Sequence, residues 1–505
     1  MTARTLGEAI AEQAGRTEAH VVFGTSAKRE TIGYPEFSEQ IAAVAGGFAE
    51  QGVRPTDRVM IRIGSTREGV LALLGLLHLG AVPVSVKPKV PGAITRQYFA
   101  MVVRQQGIRH TFRIPGQGLG LRELDLVPRP GVVREAAPAD PEGLALVQYT
   151  SGSTGMPRPI PLSHRALLGN IEAIRGVAGM KHGHAGLIAL PLHHDMGLVG
   201  VLTSLVYGID LVVEDPGTFL RRPMAALRLL RDAESVHSAL PDFMLRYLSA
   251  RIGEAAAQGT HDPRLFSAWR TVFCGAEPIR RRSVDTFLES VRPWGFDPTS
   301  LVFCYGLAEA TLMATSHRYV DTATSFSAHG AVEAACLGVP VPGLDLRIVD
   351  ESGRGRPEGA TGAVQLRGPT LFDGYDGATD HRTAWFDTGD LGHLRAGRLH
   401  LSGRRGDRIS VNGVNVFATD IEQVVTALDP VAEAVVLPHG ESFAVLVVPE
   451  RAATVDGARV ATLIATDFGL APHSVIEVPH SAIIRTASGK PARTHMAEQF
   501  EKGLL

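Results

Sequence analysis

The stretch Leu144-Ala-Leu-Val-Gln-Tyr-Thr-Ser-Gly-Ser-Thr-Gly-Met-Pro-Arg158 is where the reading of this chain starts. Leu144 to Gln148 is a short apolar run that predicts a buried strand. The residues after it cannot continue that strand. Four hydroxyls, Thr150, Ser151, Ser153 and Thr154, alternate with Gly152 and Gly155. Glycines let backbone approach a ligand closely, and hydroxyls with free amides supply donors to phosphate oxygens. A flexible surface loop is the plain alternative. This order of residues directly after a buried strand favours a phosphate-binding loop, although the spacing is not the GxxxxGK[ST] pattern.

Outward from this stretch, strands and helices alternate. Thr5 to Ala14 and Tyr34 to Gln51 carry helical spacing, and Asp57 to Ile63 alternates like a strand. Glu68 to Leu79 predicts a helix ended by Gly80, with a short apolar strand at Val82 to Val86. The pattern recurs at Gly186 to Leu190 and Thr271 to Cys274, which predicts a doubly wound parallel sheet. From about Gly338 the texture changes to short alternating strands, Leu344 to Val349, Gly362 to Arg367 and Arg398 to Ser402. These predict a more antiparallel, barrel-like subdomain. A Gly/Arg-rich junction, Gly403 to Asp407, comes next. Beyond it Arg408 to Val411 and Val414 to Phe417 flank Asn412-Gly413, a hairpin signal. Thr419-Asp-Ile-Glu422 has the spacing of a capping box. Val431 to Leu437, Ser442 to Val448 and Ser474 to Val478 complete a small α+β unit. The expected fold is α/β, with a large N-terminal domain over 1–404 and a small mobile domain over 405–505.

Composition bounds the rest. A chain of 505 residues is too long for one core, so two or more domains are expected. Net charge is −2, which makes no electrostatic case for nucleic acid or an anionic membrane as partner. Cys274, Cys304 and Cys336 lack metal-ligand spacing and are expected as free buried thiols in a reducing cytoplasm. Met1 to Gly15 has no apolar core of a signal peptide. The longest apolar run, Gly69 to Val86, contains His78, Gly80 and Pro83, so a buried helix turning into a strand explains it better than a membrane span. Six lysines stand against 44 arginines, which gives weight to a lysine kept inside a motif.

The loop at 149–158 resembles the phosphate-binding loop of the adenylate-forming superfamily: acyl-CoA synthetases, peptide-synthetase adenylation domains, luciferases and fatty acyl-AMP ligases. Further motifs match in the expected order over essentially the whole chain. Leu190-Pro-Leu-His-His-Asp-Met-Gly-Leu198, Gly275-Ala-Glu-Pro278 and Tyr305-Gly-Leu-Ala-Glu-Ala-Thr311 make it most similar to fatty acyl-AMP ligases. The resemblance implies ATP and Mg²⁺ as cofactors and an acyl-adenylate as product. By it, Thr150, Ser151, Gly152, Ser153, Thr154, Gly155 and Arg158 would cradle phosphates. Gly275, Ala276, Glu277 and Pro278 would frame the adenine, with Tyr305, Gly306, Leu307 and Ala308 beside it and Tyr305 stacked on the ring. Glu309 would hold Mg²⁺, a task suited to a hard oxygen ligand. Phe386-Asp-Thr-Gly-Asp390 would bring Asp390 to the ribose hydroxyls, which a carboxylate's two oxygens suit. Arg404 of Gly403-Arg404 would lie nearby. Arg485-Thr-Ala-Ser-Gly-Lys-Pro-Ala-Arg493 would carry the catalytic Lys490, a mobile point charge bridging the acid and the α-phosphate. His194, Asp195 and Met196, with Ser238, Ala239 and Pro241, would line the acid pocket, and His193 would pack.

The chain also departs from the family pattern. Arg158 stands where the loop normally ends in Lys. Gly406 occupies the hinge position that usually carries Asp or Lys, with Asp407 next. Ser316 to Leu337 is short where fatty acyl-AMP ligases carry an insertion that disfavours CoA, whereas Ser410 replaces a lysine common in CoA-using relatives. The two signs conflict. The resemblance implies acyl transfer to a carrier-protein thiol. An acyl-CoA synthetase, transfer to an amine or other small nucleophile, and a non-catalytic adenylate-binding relic stay open. The nature of the acid is not encoded in any one motif, because such pockets are built from several segments.

Overall fold

The computed structural model describes residues 4–25, 29–86, 94–114, 119–132, 135–138, 140–150, 158–329, 332–375, 379–411, 414–440, 442–450, 453–485 and 491–504. The larger of its sheets runs through the strands at His20–Phe23, Asp210–Val213, Ala185–Ile188, Val236–Ala239, Trp269–Cys274 and Leu301–Gly306, all parallel to their neighbours in this order. The central strands Asp210–Val213, Ala185–Ile188 and Val236–Ala239 are buried almost throughout, as helix-covered parallel strands are. Beyond Leu301–Gly306 the sheet continues antiparallel, through Met313–Arg318, Val332–Pro340, Arg398–Arg404, Phe386–Arg395, Gly362–Arg367 and Asp345–Val349. This is the change of texture expected near Gly338. A second, six-stranded sheet holds Arg58–Ile61, Val82–Ser85 and Leu144–Thr150 in parallel and ends on the antiparallel Arg158–Ser163.

The helices follow their apolar spacing. Thr5 caps Leu6–Ala11 in a reciprocal capping box with Glu8. Arg67–Leu79 is buried from Gly69 to Leu79 and stops at Gly80, whose φ of 75° closes the helix in the left-handed conformation. The apolar run at 69–86 is therefore a core helix followed by the strand Val82–Ser85. Among the described residues no helix is long and apolar enough to cross a membrane. Cys274 and Cys336 are free and buried as expected, but Cys304 is only partly buried.

From residue 408 on, the hairpin strands Arg408–Val411 and Val414–Phe417 pair antiparallel, with Asn412 and Gly413 outside the described residues. A three-stranded sheet, Val431–His439, Ser442–Pro449 and Ser474–Glu477, has its own apolar clusters on its two faces. Ala418–Thr426 and Gly457–Phe468 cover one face, and Arg493–Glu501 the other. The capping box at Thr419 does not form. The strand Val414–Phe417 runs straight into the helix, Phe417 is its N-cap without a side-chain bond, and Thr419 falls inside the first turn.

Candidate active site

The carboxyl ends of four adjacent parallel strands carry most of the residues singled out from the sequence. Leu301–Gly306 delivers Tyr305 and Gly306; Trp269–Cys274 opens into Gly275–Pro278; Val236–Ala239 delivers Ser238 and Ala239, with Pro241 next; Ala185–Ile188 leads to His194. An open α/β sheet offers its ligand crevice at these ends. Close backbone contacts shape the crevice. A Cβ on Gly306 would meet the Leu312 carbonyl oxygen at 1.7 Å, and one on Gly275 the Cys304 carbonyl oxygen at 2.7 Å. Neither position tolerates a side chain without backbone movement. Ala276 and Thr311 hold positive φ of 67° and 66°, a conformation costly for residues with a Cβ and common at functional sites.

Asp390 is the centre of one cluster. It is 5% exposed, and the Tyr305 hydroxyl donates to its Oδ2 at 2.7 Å. Arg404 Nε donates to its Oδ1 at 3.0 Å, across paired strands. The Asp390 amide is held by Thr388 Oγ1 at 3.1 Å. Burial and the adjacent carboxylate push the Tyr305 phenol far above its ordinary value, so it stays a proton donor. The next arginine, Arg405, pairs with Asp387 at 3.0 Å. The three residues expected at the nucleoside are thus brought together, with Leu307 and Ala308 buried behind them.

Glu309 lies on the short turn Ala308–Ala310 and is half-buried. The Tyr375 hydroxyl donates to its Oε1 at 2.6 Å, and the Arg158 guanidinium lies over the Tyr375 ring, 5.5 Å from its centre. Burial, then the Glu309 charge, raises the Tyr375 phenol. Tyr375, which no sequence motif marked, arrives on a strap fixed from several sides. The Phe372 amide donates to the Glu309 carbonyl at 2.8 Å, Thr311 Oγ1 to the Thr370 carbonyl at 2.7 Å, and Arg165 reaches the Pro369 carbonyl and Asp373. Among the described residues no three His, Cys, Asp or Glu side chains converge on a metal position. Glu309 nevertheless fits a Mg²⁺ whose other ligands are phosphate oxygens and water, since that ion typically takes only one or two protein carboxylates.

On the opposite rim Glu277 accepts the Phe243 amide at 2.7 Å, and burial raises its carboxyl against that bond's pull. Asp242, within the stretch Ser238 to Phe243 expected to wall the pocket, is fully buried; it accepts from the Arg280 amide at 2.9 Å and Ser283 Oγ at 2.9 Å and pairs with the Arg280 guanidinium at 3.3 Å. It ties the start of the helix Asp242–Ala257 to the start of the helix Arg281–Val291, which follows the Gly275–Pro278 loop. His194 caps the helix Asp195–Val206, its ring 4.4 Å from that of His193, while Asp195 Oδ1 accepts the Met196 amide at 2.8 Å. Met196 is buried, and Ser238 Oγ donates to the Leu187 carbonyl at 2.8 Å. Ala276 and Pro278 are exposed.

Ser151, Gly152, Ser153, Thr154, Gly155 and Lys490 lie outside the described residues, as does the side chain of Thr150. Arg493, three residues past Lys490, is among the described residues. Arg493 holds the buried Glu422 through two bonds, 2.7 and 3.2 Å, and reaches Asp407 beside Gly406 at 3.2 Å. Glu422 also accepts the Val436 amide at 2.8 Å, the role it takes in place of a capping box.

The chain is similar to known proteins over most of its length. A family model for AMP-binding enzymes matches residues 8–376. A putative ligase of Mycobacterium tuberculosis is 32% identical over 394 residues, 70% of this chain and 71% of the relative. The medium-chain-fatty-acid–[acyl-carrier-protein] ligase JamA of Moorena producens is 26% identical over 541 residues, 94% of this chain and 90% of that protein. A solved structure from work on fatty acyl-adenylate ligases of E. coli and L. pneumophila superposes with a TM-score of 0.84 at 25% identity, covering 99% of this chain and 98% of the other.

Proposed function

The chain belongs to the AMP-binding enzyme family, and from that premise we propose that it uses ATP to activate a carboxylic acid as its acyl-adenylate and then passes the acyl group to a carrier-protein thiol. One observation carries this reading: Tyr305, Asp390 and Arg404 meet in one cluster at the same strand ends that present Glu309.

Asp390 holds the ribose hydroxyls. Each of its oxygens already accepts one bond and has a second lone pair to offer. Tyr305 borders the adenine together with the 275–278 loop. Glu309 would hold Mg²⁺, which when bound would supply positive charge against the phosphates. Ser151 to Gly155, with Arg158 at the loop's end, hold the phosphates. The acid lies between His194 to Met196 and the wall formed by Ser238, Ala239 and Pro241. In the first step a carboxylate oxygen bonds to the α-phosphorus as the bond to pyrophosphate breaks, and Lys490 stabilises the charge that builds there. In the second step the thiol sulfur attacks the acyl carbon, giving its proton to a base or solvent, and AMP leaves. The unit 405–505 rotates about Gly403 to Asp407 between the steps. A glycine at 406 permits such rotation, since it has no Cβ to restrict its backbone angles.

Pyrophosphate exchange into ATP, measured over a panel of fatty, aryl and amino acids, tests the first step, with Lys490→Ala as the inactive control. No exchange with any acid overturns the reading. Mass analysis of an added carrier protein or CoA after adenylation then identifies the acceptor. Acyl-CoA as the product would favour the synthetase alternative. The compact stretch between Met313–Arg318 and Val332–Pro340, occupied by Thr322–Ser325 and Phe326–His329, keeps that outcome open.

A further inference from the structure

We propose that Tyr375 is a positioning residue for Glu309: its hydroxyl holds one carboxylate oxygen so that the other faces the cation that accompanies the phosphates, and Arg158 in turn holds its ring. This rests on the adenylate-forming reading above. Three observations carry it.

The first is the bond itself. An O–H donor at 2.6 Å from a carboxylate lies in the range of short, charge-assisted hydrogen bonds. It occupies Oε1, and no bond from a described residue to Oε2 stands beside it. A carboxylate on a short turn can swing about its own torsions, and one firm bond removes that freedom before a ligand arrives.

The second is how Tyr375 is delivered. The strap that carries it is bonded to the same turn as Glu309: the Phe372 amide donates to the Glu309 carbonyl, and Thr311 Oγ1 to the Thr370 carbonyl. The Phe372 ring sits 4.9 Å from the Tyr375 ring, edge to face. A tyrosine that met the carboxylate by chance from a free loop would not share these ties. Tyr375 keeps 43% of its surface exposed, its ring resting on Phe372 while its hydroxyl reaches Glu309.

The third is Arg158. The phosphate loop ends here in arginine rather than the family's lysine. A guanidinium is flat and stacks on an aromatic face, which an ammonium does only as a point charge. Arg158 lies over the Tyr375 ring, so the end of the phosphate loop, the ring and the Glu309 carboxylate form one connected line. The substitution at 158 thereby keeps a link between phosphate loop and metal ligand.

The test uses Mn²⁺ as the probe, with the full-length protein and ATP, reading bound and free ion by electron paramagnetic resonance. Tyr375→Phe keeps the ring and removes the hydroxyl. It is expected to weaken Mn²⁺ binding in the ATP complex by roughly tenfold or more, the scale of one hydrogen bond to a charged group. AMP affinity, which needs no cation, and the melting temperature are expected to stay at wild-type values. Arg158→Lys is expected to give a smaller loss in the same direction. Mn²⁺ affinity in Tyr375→Phe within about twofold of wild type overturns the proposal. So does an equal loss of AMP affinity, which would mark a merely structural role. Failure of the wild-type protein to bind Mn²⁺ with ATP would remove the adenylation reading itself, and so is told apart from failure of the variant alone.

Discussion

Two buried carboxylates in this molecule are each held by an arginine and differ in how open that arginine stays. Asp390 is 5% exposed and is held by an arginine and a tyrosine; Glu422 is 7% exposed and is held by an arginine and a backbone amide. Burial of the carboxylate does not separate them. Its arginine does. Arg404 keeps 46% of its side chain open at the strand ends, whereas Arg493 is 16% exposed, closed between Glu422 and Asp407. An ion pair with one open partner can accept new bonds from a ligand. A closed one is a tie within the structure. For Glu422, burial raises the carboxyl and the Arg493 charge works against that rise. Such a pair contributes little net stability compared with apolar packing, but removing one partner is costly because the other charge is stranded.

The comparison breaks most visibly if Asp390→Asn leaves catalysis intact. The carboxamide keeps the shape and loses the charge-assisted bonds. Loss of bonds to both ribose hydroxyls should lower kcat/KM for pyrophosphate exchange on the order of 100-fold, with a small change in melting temperature. A fall of less than about threefold would show that the open pair does not hold the ligand.

Glu422→Gln should do the reverse. It strands a largely buried guanidinium that still has Asp407, so the loss sits near the lower end of the range for broken buried pairs, about 3 kcal/mol. Urea unfolding of the region past residue 408 reads it. The adenylation rate per folded molecule should fall less than in Asp390→Asn. If it falls more, the tie is itself part of the chemistry.

A smaller effect sharpens the contrast through pH. Burial, and then the Glu422 charge, push the Asp420 carboxyl up to about 7. The folded state therefore binds this proton more tightly than the unfolded chain, whose aspartates titrate near about 3.9. The stabilising contribution is complete below that value and declines as pH rises toward about 7. Asp420→Asn should remove this decline, raising the melting temperature at pH about 8 more than at pH about 5. Equal shifts at both pH values would show that Asp420 is not held protonated.

Much of the site could be read from short strings of sequence. Tyr305-Gly-Leu-Ala-Glu309 lies where a strand ends in a tight turn, which is a local arrangement, whereas Thr388-Gly-Asp390 lies inside the strand Phe386–Arg395. The same local logic misled at Thr419. Its spacing to Glu422 satisfies a capping box, but nothing nearby in sequence reveals that the helix already begins at Ala418 or that Arg493 claims the glutamate. Tyr375 and Arg165 carried no local signal at all, and Asp242 was marked only as part of the stretch Ser238 to Phe243 expected to wall the acid pocket.

The sequence alone determined the alternation of strands and helices, the turns that need glycine, and the family of motifs along the chain. These depend on periodicity and on backbone conformations that neighbouring residues decide. Only the tertiary structure decided which side chains meet. Tyr305 and Asp390 are 85 residues apart, Tyr375 and Glu309 are 66, and Arg493 and Glu422 are 71. Each pair depends on sheet order and on packing between distant segments, and no local pattern records the order in which strands lie side by side.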